Sequence, residues 1–337
     1  MRAVLGLACA AALAVALIAG GCGSSGEAPD SSRQALTRQA AIHRKIERLQ
    51  RKLRRRRAAL RARRARERRR EARKAPAGGR SVPAEAAAGG GNFAKVEAGV
   101  DGEIGAAIGP PGAGAATVVG DLGSGPAWST SKVPISLRLL RDVGGPSGLS
   151  SAQADEMRRA LTLSDNEAAA ALFADLERAH GGLAGASGAV GEVLREAGDG
   201  TTEISTRGRD GFSTYGQTDW SLANQELFMS RLAAHCIGSP ASDEYVLDLM
   251  GEVSSDTWGL GSAGLPASWK GGWGPGSDGR YLARQMGILY VGDKEAVVTL
   301  AAIPNDGSFE SAEAMATTVA QWLAKQAPTY AGAPAHC

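Results

Sequence analysis

The chain is poor in the residues that metal centres need. It has 4 cysteines and 4 histidines in 337 residues, and no His/Cys/Asp cluster falls at metal-ligand spacing. Neither a metal nor another cofactor is expected. Aromatic residues make up 5% of the chain. None interrupts the arginine run within 33–74, so the stacking platforms of nucleic-acid binding are missing there and no nucleic-acid partner is expected. The apolar run at 4–18 falls short of the ~20 residues that span a bilayer. Glycine and proline are absent from 33–74, which removes the usual helix breakers from that stretch.

What the chain has in excess is charge that is unevenly placed. Residues 33–74 carry 20 Lys/Arg against 3 Asp/Glu, a net of +17, while the whole chain sums to +3. The remainder is therefore acidic. Within the basic segment Ile42, Ile46, Leu49, Leu53 and Leu60 fit a coiled-coil seam that Arg56 and Arg63 interrupt. Such a segment suits contact with anionic lipids or wall polymers, or a solvated spacer. Ahead of it, Arg2, the apolar run and Ala19-Gly20-Gly21 read as an export signal over 1–21. The Ala-Gly-Gly-Cys ending resembles a bacterial lipobox, which implies lipidation at Cys22. The expectation is an exported protein, anchored by lipid at the outer face of the cytoplasmic membrane. Residues 22–91 would then be its tether, ending in a Gly/Ala/Pro linker.

The globular domain is expected over 92–337, enough chain for a substantial core. An exported compartment permits a disulfide between its two cysteines, Cys236 and Cys337. Cys337 is the last residue, and a free thiol on a frayed end is the other reading. Short apolar runs at 103–108 and 115–119 read as paired strands. Helical spacing follows at 154–163, 167–178, 189–197 and 220–235. Strands return at 269–273, 281–290 and 296–302, and a helix over 311–325 closes the chain. Strands at both ends with helices between predict an α/β (α+β) architecture: an antiparallel sheet built from the chain termini, with flanking helices and a separate helical lobe.

Three motifs stand in order: Ser129-Thr130-Ser131-Lys132, Ser164-Asp165-Asn166 and Lys270-Gly271-Gly272. A serine hydroxyl is a weak nucleophile until a base takes its proton. A Ser-x-x-Lys pair on one helical turn puts Ser129 and Lys132 on one face, and a lysine kept partly neutral by burial and cationic neighbours can act as that base. Ser164 can relay a proton to a leaving nitrogen, and Asn166 can hold a substrate amide. Lys270 can place positive charge beside Ser164 and a substrate carboxylate. Gly272 and its neighbour Gly271 let the strand edge approach an acyl ligand. Trp269 and Trp273 read either as core or as the mouth of the cleft.

The ordered triple resembles that of the class A β-lactamases and penicillin-binding proteins. The likeness to class A runs over about 92–327. It takes in "AWSTSKVPIS", "LTLSDNEAAAALFADL", "HGGLAGASGAVGEVLREAGD", "GRYLARQMGIL" and "AVVTLAAIPN". The resemblance implies a monomeric serine hydrolase acylated at Ser129 by a β-lactam or cell-wall peptide, with an oxyanion hole from the amides of Ser129 and Trp273. It also makes Arg280 a candidate for the substrate carboxylate. Three departures follow. Gly271 replaces the middle hydroxyl residue of Lys-Thr-Gly. Only 32 positions separate Lys132 from Ser164, shorter than is usual in that family, so a reduced wall of the cleft is expected. The deacylating Glu is missing: its place falls near 207–209, Glu203 comes too early, and Asp210 lacks the partner Asn. Acylation with weak deacylation is the expected activity. The alternatives are a D-Ala-D-Ala peptidase-like penicillin-binding protein and a non-catalytic envelope-binding lipoprotein.

Overall fold

The computed structural model describes residues 89–112 and 116–337. The expected export signal, the lipid site at Cys22, the tether to residue 88 and the Arg-rich segment 33–74 lie outside the described residues. Among the described residues there are eight helices and one five-stranded sheet. In chain order they are α1 (Gly89–Glu97), β1 (Gly102–Gly109), β2 (Thr117–Gly120), α2 (Lys132–Asp142), α3 (Ser151–Thr162), α4 (Asn166–His180), α5 (Leu183–Glu196), α6 (Leu222–Ala233), α7 (Pro240–Met250), β3 (Ala267–Pro275), β4 (Tyr281–Val291), β5 (Lys294–Pro304) and α8 (Phe309–Tyr330).

The strand order is β2-β1-β5-β4-β3, antiparallel throughout. β1 pairs with β5 across almost the whole domain, with Glu103 opposite Ile303. The α+β architecture with a sheet built from both chain ends is therefore present. β4 and β5 are buried on both faces. That suits their near-continuous apolar sequences, since α8 covers one face and α6 packs on the other. A second core fills the helical lobe around α2, whose Val133, Ile135, Leu139 and Leu140 pack with Met157, Leu172 and Val190.

Helix starts follow local chemistry. Ser150 opens α3 with a reciprocal capping box to Gln153. Asp165 caps α4 by accepting from the amides of Glu167 and Ala168, and Ser221, Ser239 and Ser308 cap α6, α7 and α8. Two helices had no counterpart in the periodicity. α1 begins inside the Gly run at 89–91, held by Phe93, which packs edge-on against Trp322 at 4.8 Å. α7 buries the polar Ser242 and Asp243 with Val246, Leu249 and Met250, so its inward face does not read as an apolar stripe. Cys236 and Cys337 form a disulfide with Cα atoms 5.3 Å apart. The bridge, not the free thiol, is what the structure holds, and it ties the chain's end to the turn after α6.

Candidate active site

The site lies where the helical lobe meets the free edge of β3. Ser129 sits in a 3-10 turn, Trp128–Ser131, that runs directly into α2. Lys132 is the first residue of α2, and Pro134 falls in the first turn, where its missing N–H is not needed. Ser129 is half-buried and Lys132 is buried at 2% exposure. The expected Ser129–Lys132 contact is replaced by another. The Lys132 ammonium donates to the carbonyl of Ser164 at 2.6 Å and to Asn166 Oδ1 at 2.8 Å. Ser129 Oγ has no hydrogen-bond partner among the described residues. Catalytic bonds of this kind commonly tighten only when substrate arrives.

Ser164 lies on the turn between α3 and α4, with Asn166 at the first position of α4. From the sheet side Lys270, mid-β3 and buried, donates to Ser164 Oγ at 2.8 Å and to the Gly271 carbonyl at 2.8 Å. Two lysines therefore converge on one serine, one at its carbonyl and one at its hydroxyl. Burial and then the nearby Lys270 charge bring the pKa of Lys132 down to about 7. Burial brings that of Lys270 down to about 8. Both can change protonation near neutral pH. Asn166 gives its oxygen to Lys132, which leaves its NH2 for a substrate carbonyl.

The β3 edge comes close because Gly272 has no side chain. A Cβ there would stand 2.8 Å from the Ser129 amide nitrogen, 2.9 Å from the Ala127 carbonyl and 3.0 Å from the Thr130 nitrogen. The next residue, Trp273, is 42% exposed and leans on Phe309 with ring centroids 4.4 Å apart. Trp269 is buried in the sheet-side core. Trp269 therefore follows the core reading.

Backbone strain gathers at this place. Among the described residues four non-glycine residues have positive φ: Trp128 at 48°, Ser164 at 56°, His235 at 55° and Asp256 at 49°. Trp128 precedes Ser129, the nucleophile candidate, and Ser164 is the proton-relay candidate. Asp256 touches the Gly271 position, where a Cβ would meet its Cβ at 3.2 Å and its Oδ2 at 3.3 Å. Such conformations cost of order 1–3 kcal/mol each and collect at functional sites.

Three residues that the motifs do not reveal complete the site. Arg284 on β4 is fully buried; it donates to the carbonyls of Gly125, Pro126 and Trp220 at 2.6, 3.1 and 2.9 Å and to Gln225 Oε1 at 2.8 Å. Gln225 in turn donates to Thr130 Oγ1 at 2.9 Å. This pair holds the segment that enters the Ser129 turn. Asp256 is the third. Its Oδ1 accepts from Trp273 Nε1 at 3.2 Å, and its carbonyl accepts from Trp269 Nε1 and Gln285 Nε2, both at 3.2 Å.

Arg280, expected to meet a substrate carboxylate, is committed elsewhere. Its Nη1 pairs with Glu103 at 2.8 Å and its Nε with Asp278 at 2.7 Å, at the start of β4. Its charge is matched by two carboxylates in this structure. The loop after Asp199 is pinned at its base: the Asp199 carboxylate accepts from Trp220 Nε1 at 3.1 Å and Asn224 Nδ2 at 2.8 Å. The residue that crosses from this loop toward the site is Arg209. It donates to the carbonyls of Pro275 and Gly276 and lies over the rings of Trp128 and Phe212 at 5.7 and 4.9 Å. Glu203 and Asp210 on the same loop are exposed.

An antiparallel five-stranded sheet flanked by helices, an all-helical lobe, and a serine turn at their junction form one architecture. The fold is that of the class A β-lactamases. Solved structures carry this conclusion. A β-lactamase from Xanthomonas campestris pv. campestris is similar with a TM-score of 0.54 and 21% identity, covering 70% of this chain and 96% of that one. A β-lactamase from Chitinophaga pinensis gives 0.56 at 15% identity, covering 70% and 98%. The chromosome-encoded β-lactamase of Vibrio parahaemolyticus gives 0.55 at 16%, covering 71% and 98%. No protein-family profile and no curated protein matches the chain.

Proposed function

We propose that the domain is a β-lactamase-like serine hydrolase that forms an acyl-enzyme on Ser129 with β-lactam or peptidoglycan-like amides and releases the acyl group slowly. The observation that carries this reading is the convergence of two buried lysines, with pKa values of about 7 and 8, on Ser164 beside the nucleophile turn. In this reading neutral Lys132 takes the Ser129 Oγ proton as Oγ attacks the carbonyl carbon. The amides of Ser129 and Trp273 receive the oxyanion. The C–N bond then breaks, the nitrogen takes its proton from Ser164, and the Lys270 ammonium, which donates to Ser164 Oγ, replaces that proton.

Slow release follows from Arg209. A guanidinium stays protonated at any working pH, so it cannot activate water for the ester. The loop therefore offers a latch where hydrolysis needs a base. A penicillin-binding or D-Ala-D-Ala peptidase-like role is the second reading, favoured by that same residue. The disulfide supports an oxidising, extracytoplasmic compartment, in keeping with export and a lipid anchor at Cys22.

The test is intact mass of the full chain after incubation with a fluorescent penicillin and, separately, a neutral activated aryl ester. An adduct that maps to Ser129 and disappears in Ser129→Ala supports the reading. Absence of a Ser129-dependent adduct from both reagents overturns it.

A further inference from the structure

Beside the site stands a carboxylate that the acylation chemistry does not use. Asp256 stands on a loop ahead of β3, against the position that Gly271 leaves bare. Its carboxylate is fixed from several sides: φ is 49°, two N–H groups hold its carbonyl, and Trp273 donates to Oδ1. Oδ2 is shut off from water and has no hydrogen-bond partner among the described residues. An unpaired carboxylate oxygen of this kind exerts its charge with little screening. The carboxylate couples electrostatically to both Lys132 and Lys270. Its negative charge opposes the positive charge that Lys270 presents to an anionic substrate. Arg280 is paired with Glu103 and Asp278. Gly271 offers no hydroxyl.

Lys270 and Ser164 mark the leaving-group side of the reaction, because the proton for the departing atom comes from there. Asp256 reaches β3 from the preceding loop beside the neighbour of Lys270: a Cβ on Gly271 would stand 3.3 Å from its Oδ2. We infer that Asp256 is a specificity-determining residue that makes this serine site favour acyl donors whose leaving group carries a cationic or neutral substituent and disfavour those carrying a carboxylate. This inference rests on the acyl-enzyme reading above and narrows its substrate class.

Three aryl esters of one acyl group test it: 3-hydroxybenzoate, 3-hydroxybenzamide and 3-(aminomethyl)phenol as leaving groups. In each case the Ser129 Oγ–acyl bond forms, the aryl C–O ester bond breaks, and the phenol leaves with the serine's proton, detected by absorbance. Rates for the full chain are divided by those with hydroxide to remove intrinsic differences between the phenols. The ammonium ester is expected to acylate Ser129 about tenfold faster than the carboxylate ester, as one charge reversal beside a shielded carboxylate implies. Asp256→Asn keeps an oxygen for Trp273 Nε1 and removes the charge. It is expected to collapse or invert that order through changes in KM as well as kcat, while thermal melting stays close to that of the parent. Ser129 acylation by all three esters with equal normalised rates overturns the inference and leaves the acyl-enzyme reading standing. An order unchanged by Asp256→Asn also overturns it. No Ser129-dependent release of any phenol overturns the acyl-enzyme reading itself.

Discussion

The acylation rate is expected to follow the deprotonation of Lys132, and its pH midpoint is expected to move in opposite directions when Lys270 or Asp256, two of its charged neighbours, is neutralised. An ordinary lysine near 10.5 is neutral in only about one molecule in 3,000 at pH 7, whereas one with a pKa of about 7 is neutral in about half. Burial is the larger cause and the Lys270 charge the next. Both ammonium groups reach the same serine, which puts them within about 8 Å of each other given ordinary hydrogen-bond lengths. At that distance two unit charges interact by about 2 kcal/mol at an effective dielectric of 20. Lys270 is itself partly neutral near pH 8, so its removal is expected to raise the Lys132 midpoint by about one unit. Asp256 acts with the opposite sign, and Asp256→Asn is expected to lower the midpoint.

The assay is the pseudo-first-order rate of Ser129 labelling by a neutral activated ester, from pH 5 to 10, for the parent, Lys270→Met and Asp256→Asn. Lys270→Met lowers the plateau as well, so the midpoint and not the rate is the quantity compared. The parent profile should rise tenfold per pH unit below about 7 and level off above it. A parent midpoint near 10, or shifts of the same sign in the two variants, would refute the assignment of Lys132 as base.

Gly272→Ala brings a methyl group to 2.8 Å from the Ser129 nitrogen; it is expected to cost about 1–3 kcal/mol in urea unfolding and to slow labelling at least about tenfold, and an unaffected rate would count against the strand edge as part of the site. Glu226 on α6 is buried at 1% exposure, and burial pushes its pKa up to about 8. The folded state keeps its proton where the unfolded chain has lost it, so its contribution to stability falls as pH rises from 4.5 through 8. Glu226→Gln should therefore gain a few kcal/mol over the parent at pH 9 and little at pH 4.5, at about 1.4 kcal/mol per pH unit; equal gains at both values would refute this. The bridge between Cys236 and Cys337 spans a sequence separation of 101, for which chain entropy gives about 4–5 kcal/mol, and melting with and without reductant should differ accordingly in the parent but not in Cys337→Ser.

Much of this was legible in the sequence because it depends on spacing along the chain. Ser129 with Lys132, and Ser164 with Asn166, are local pairs, and the strands around Lys270 alternate or run apolar as their burial demands. What stayed hidden depends on contacts between distant segments. Arg284 has the same letter as a surface arginine, and only the carbonyls of Gly125, Pro126 and Trp220 make it a structural brace. Asp256 sits in a loop with no period, and its meaning comes from the empty position at Gly271. Arg280 misled because the spacing from Lys270 was right while its partners, Glu103 and Asp278, lay outside any motif. Arg209 was close to the place where a Glu was sought, but its hold on the Pro275 and Gly276 carbonyls appears only in the fold.

The pairing of β1 with β5 has a consequence for how the protein comes into being. Strand β1 is made early and must wait for β5, which arrives almost two hundred residues later, with Gly102 opposite Pro304. Contacts of such separation make folding slow, because a long loop must close before any pairing is gained. The lobe between them can collapse locally in the meantime, but Lys270 has no sheet to sit in until β4 and β5 are present. The nucleophile turn is thus synthesised long before the lysine that faces it.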